Sequence, residues 1–82
     1  MSKPLEIGNN IGATLRFDDM ANLRGFADAQ SDRLASLLFV LKECVNHVDE
    51  AYFVDALYIA SDMAYEVRQA VELLVAPEVA HG

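Results

Sequence analysis

The sequence predicts an all-α chain built on an antiparallel pair of long helices, and three observations carry that prediction. Apolar residues repeat at helical spacing in two runs, one before and one after residues 46–50. The phase of the repeat slips across those same residues. From Phe26 to Asn46 there is neither Gly nor Pro to interrupt a helix.

Length and composition bound what this fold can be. At 82 residues and 9.0 kDa the chain holds one domain with a thin core, because small domains bury a smaller share of their surface than large ones. Disulfides, a structural metal or oligomerisation usually compensate. Lone Cys44 excludes an intramolecular disulfide, so oligomerisation is the expected support. A hydrophobic content of 54% beside a net charge of −7 fits a folded chain, since disordered chains pair high charge with low hydrophobicity.

A pI near 4.5 with six scattered Lys and Arg residues argues against direct binding to nucleic acid or an anionic membrane. The uncharged helical stretch Leu34 to Leu41 is far shorter than the roughly 18 apolar residues of a spanning helix. No apolar signal region follows Met1, so a cytoplasmic protein is expected.

Taken in order, residues 1–16 hold Pro4, Gly8, Asn9, Asn10 and Gly12 and read as a flexible arm. The arm has a weakly β alternative, in which Leu5 to Ile7 and Ile11 to Phe17 pair across the Gly-Asn-Asn turn. Residues 17–76 form the single helical domain. Asp18 and Asp19 suit a helix start and Gly25 suits a helix end, predicting a short helix at about 18–24 with Phe17, Met20 and Leu23 along one edge. The first long helix covers about 26–46, with a seam of Leu34, Leu38, Leu41 and Val45 flanked by Leu37 and Cys44.

A turn at 46–49 follows, with Asp49 as N-cap of the next helix. That helix covers about 50–75 and carries Phe53, Leu57, Ala60, Ala64, Val67, Val71 and Leu74, flanked by Ala56, Met63 and Ala70. Pro77 stops it and leaves 77–82 frayed. Apolar surface wider than one partner helix can cover predicts a homodimer in which two helix pairs form a four-helix bundle. The alternative is a monomer with the short helix and the arm folded over the pair.

Candidate chemistry is sparse. Glu43, His47 and Glu50 would share one face only of an unbroken helix, and the phase slip breaks it there, so no metal or other cofactor is expected. Cys44 reads as a small buried hydrophobe. No G-x-S-x-G, Walker, H-E-x-x-H or C-x-x-C pattern occurs, so a non-enzyme is expected. Glu43 to Val67 carries six acids and neither Lys nor Arg. Within it, Asp55, Tyr58, Asp62, Tyr65 and Glu66 form the candidate contact patch, suited to a basic protein because aromatics anchor interfaces and carboxylates steer cations.

The competing reading packs these tyrosines at the edge of the dimer core. Functionally, the sequence predicts a small acidic protein-interaction module, a regulator or adaptor. The alternative is a phage or mobile-element inhibitor whose Asp62 and Glu66 occlude a nucleic-acid-binding surface of a host protein.

Overall fold

The computed structural model of the chain describes residues 5–9 and 12–81, with side chains for 5–9 and 12–75. Its elements are β1 (Leu5–Gly8), β2 (Thr14–Phe17), α1 (Met20–Cys44) and α2 (Glu50–His81). The chain is mostly helical, with a two-stranded antiparallel sheet before the helices.

β1 and β2 pair with Leu5 opposite Phe17 and Gly8 opposite Thr14, so the strand reading of the arm is the one that forms. Ile11, placed in the second strand from sequence, lies outside the described residues. The turn is closed at Asn9, whose N–H donates to the Ala13 carbonyl at 3.0 Å and whose side-chain oxygen accepts from the Ala13 N–H at 2.9 Å. Gly12 holds φ at +85°, a left-handed backbone that glycine adopts without cost. Two strands alone are marginal in water. Here they rest on the helices: Ile7 is only 2% exposed, and Leu5 and Phe17 pack against the core.

The expected break at Gly25 does not occur. Asp19 caps α1 by accepting from the Asn22 N–H at 2.8 Å, and the helix then runs unbroken to Cys44. Gly25 has no positive φ and so does not act as a helix stop. Leu23, Phe26 and Ala27, on either side of it, pack into one cluster, and that tertiary contact outweighs glycine's cost of about 1 kcal/mol in a helix interior. The turn and the second cap follow the prediction. Asp49 accepts from the Ala51 N–H at 3.0 Å and starts α2.

Pro77 likewise does not stop α2, which continues to His81. Proline's fixed φ near −65° is itself a helical value, so a helix passes through it at the cost of one hydrogen bond and crowding in the preceding turn.

The seam between α1 and α2 keeps the expected Leu34, Leu41, Phe53, Ala60, Val67 and Leu74, and the alternate positions between them are filled by the flanking residues. On α1 the half-buried or buried residues are Leu23, Ala27, Gln30, Leu34, Leu37, Leu41 and Cys44, in 4-3-4-3-4-3 spacing, with Phe26 beside them. On α2 they include Phe53, Ala56, Ala60, Met63, Val67, Ala70 and Leu74. Leu38, Val45, Leu57, Ala64 and Val71, expected inside, lie at the surface. Continuity of α1 decides this: extended back through Gly25, the Leu34/Leu41 phase meets Leu23 and Ala27, whereas the Leu38/Val45 phase meets Arg24 and Asp28. On α2 the small Ala56, Ala60 and Ala70 bring the backbones close where the larger Leu57 and Val71 would hold them apart.

Leu23, Ala27 and Ala70 form the core cluster, with Leu5, Phe17, Phe26, Leu73 and Leu74 packed around it. Phe17 and Phe26 stack tilted with ring centroids 5.1 Å apart, joining sheet to helix. The core therefore sits at the sheet end of a body measuring 51 × 23 × 20 Å, and the turn end is held by one thin seam.

Candidate functional site

α2 positions the candidate residues. Asp55, Tyr58, Asp62 and Tyr65 follow each other at 3-4-3 spacing and so form one row, turned away from the seam that buries Ala60 and Ala70. Asp55 is exposed, and Tyr58 and Tyr65 are 68% and 53% exposed. Asp62 between them is half-buried and makes an interaction within the chain. Continued by one more step, the row reaches Gln69, where the strand pair is docked, so the sheet closes one end of the surface.

Glu66 does not belong to this row. It is half-buried and accepts a hydrogen bond at 2.7 Å from the Gln30 side-chain amide across the helix pair. Its carboxylate thus ties α1 to α2 and satisfies the one polar side chain in the α1 seam. Of the Asp62 and Glu66 pair assigned to occlusion of a nucleic-acid-binding surface, Glu66 is thus bonded across the helix pair and Asp62 also makes an interaction within the chain.

Sequence reasoning missed Tyr52, whose ring is 70% exposed near the start of α2. Its position three residues before Asp55 was the available signal, masked by its apparent fit to an extension of the first seam. Tyr58 and Tyr65 present large rings with polar tips on this row, and Tyr52 stands about a third of a turn away around the helix. The exposed carboxylate of Asp55 lies among them. Arg68 is the sole Lys or Arg of α2, and its guanidinium pairs with Glu72 at 3.2 Å.

The remaining candidates are dispersed. Glu43 ends in α1, His47 lies in the turn and Glu50 opens α2, so the three do not share a helical face. Among the described residues no group of three His, Cys, Asp or Glu side chains has the arrangement to hold a metal ion. Cys44 is half-buried on the α1 seam, less enclosed than expected. No described helix is long and apolar enough to cross a membrane. Comparison with known proteins finds no matching family model, no similar curated protein and no similar solved structure.

Proposed function

We propose that this chain is a small non-enzymatic protein-interaction module of the cytoplasm, a regulator or adaptor. Its helix pair serves as a scaffold, doubles into a four-helix bundle, and shows the outer row of α2 to a basic protein. The observation that supports this reading is the exposure of Tyr52, Tyr58 and Tyr65 around Asp55 on a helix with a single basic residue. Aromatic rings supply buried area when a partner arrives, and the carboxylates raise the encounter rate with cationic surfaces.

The test is anisotropy of a labelled arginine-rich helical peptide titrated with the chain. Binding should weaken as salt rises, because the Debye length shortens below ~10 Å above 0.1 M. It should be lost in the Tyr58→Ala/Tyr65→Ala variant and in Asp55→Asn, and be kept in Asp32→Asn on the outer side of α1. Equal losses in Asp32→Asn and Asp55→Asn would reduce the effect to net charge and sink the proposal, as would no binding at low salt.

A further inference from the structure

Among the described residues nothing covers the flank of the helix pair opposite the sheet. The strand pair covers the flank that carries Phe26 and Leu73. In an antiparallel pair the positions one step to the other side of each seam fall together on the remaining flank. On α1 these are Asp28, Ser31, Ala35, Leu38 and Lys42, and on α2 Val54, Leu57, Ser61, Ala64 and Arg68, all exposed. Leu38, Val54 and Leu57 are 47%, 39% and 43% exposed, so the flank shows aliphatic surface along both helices.

Charge and size point to the occupant. The chain carries −7, so a contact between copies needs a face on which acids are matched by bases. This flank offers Asp28, Lys42 and Arg68, the last already holding the Glu72 carboxylate beside it, while Asp55, Asp62 and Glu66 lie elsewhere on α2. The Gln30–Glu66 hydrogen bond sets those residues opposite each other. Five residues further along α1 is Ala35, and five residues back along α2 is Ser61, so the two small side chains stand at one height on the flank. Asp28 and Lys42 lie seven residues to either side of Ala35, about 10 Å along the helix.

We propose that this flank is the contact between two copies of the chain, related by a two-fold axis that passes Ala35 and Ser61 and lays each helix antiparallel on its own copy. About that axis Asp28 meets Lys42 of the partner subunit, and Lys42 meets Asp28 of the partner subunit. Leu38 falls against Ser31 of the partner subunit, Leu57 against Ala64 of the partner subunit, and Val54 against the aliphatic stem of Arg68 of the partner subunit. The other face-to-face arrangement, with α1 lying on α2 of the copy, sets Leu38 against Leu57 and Ser31 against Ala64, which crowds one level and leaves a gap at the next. The inference rests on the reading of the helix pair as a scaffold that doubles. It uses residues separate from the tyrosine row, so peptide binding and self-association fail independently.

Sedimentation equilibrium on the full chain tests it. The wild type should show twice 9.0 kDa at high concentration. Asp28→Lys and Lys42→Asp should each raise the dimer Kd by roughly tenfold, since each reverses two symmetry-related pairs. The double reversal should return it to within about threefold of the wild type. Ala35→Arg, exposed in the single chain, should give 9.0 kDa with unchanged far-ultraviolet circular dichroism. A wild type of 9.0 kDa at every concentration, single reversals that leave Kd unchanged, or a double reversal that does not restore it would each overturn the proposal.

Discussion

Gln69 holds Gly8 by both of its backbone polar groups. The side-chain oxygen of Gln69 accepts from the Gly8 N–H at 3.0 Å, and its amide donates to the Gly8 carbonyl at 2.7 Å. One side chain of α2 thus does for the outer edge of β1 what a neighbouring strand would do, and an otherwise marginal strand pair acquires a fixed seat on the helices.

Gln69→Leu removes both hydrogen bonds at similar size. With each worth ~0.5–1.5 kcal/mol net, the expected loss is about 1–2 kcal/mol in urea denaturation. Amide exchange at Gly8 and Ile7 should accelerate more than exchange at Leu41, which lies far along the seam. Uniform acceleration across the chain would show that the sheet does not depend on this clamp.

Gly25 and Gly12 make a matched pair for backbone chemistry. A Cβ at either position meets nothing within 4 Å, so space is equal and only conformation differs. Gly25→Ala should stabilise the chain by about 0.5–1 kcal/mol, because alanine loses less entropy in a helix. Gly12→Ala, at φ +85°, should destabilise by about 1 kcal/mol. Thermal melts of the two variants should therefore move in opposite directions.

Gln30 and Glu66 should be coupled. Glu66→Ala leaves the half-buried amide of Gln30 without this partner, at an expected cost of about 1–2 kcal/mol. A double-mutant cycle with Gln30→Ala should return a coupling of about 1 kcal/mol, whereas Tyr58→Ala should change stability by less than about 0.5 kcal/mol. A Glu66→Ala chain as stable as the wild type would place Glu66 back among surface acids.

Leu23 and Phe39 test where the core sits. Leu23 is 0% exposed at the sheet end, and Leu23→Ala should cost about 2–5 kcal/mol. Phe39, although larger, is 63% exposed, and Phe39→Ala should fall within about 0.5 kcal/mol of the wild type. Denaturation midpoints at equal slope check both.

The helices, the turn at Asn46 to Val48 and the cap at Asp49 were legible in the sequence, because each rests on local chemistry: apolar spacing, a slip in phase, a carboxylate beside the first free N–H groups. Which apolar row faces inward was not. Leu37 and Leu38, or Ala56 and Leu57, are neighbours on a helix surface, and spacing alone fits either.

The sequence by itself determined two long helices joined by a short turn and set Asp55, Tyr58, Asp62 and Tyr65 in one row along α2. Tertiary structure decided the rest. Packing of Leu23, Phe26 and Ala27 carried α1 through Gly25, docking by Gln69 turned a marginal strand pair into part of the fold, and the bond to Gln30 took Glu66 out of the surface row. Each outcome reflects contact between residues distant in the chain, whose free energy exceeds the local preference of a single glycine, a two-stranded ribbon or an acidic side chain.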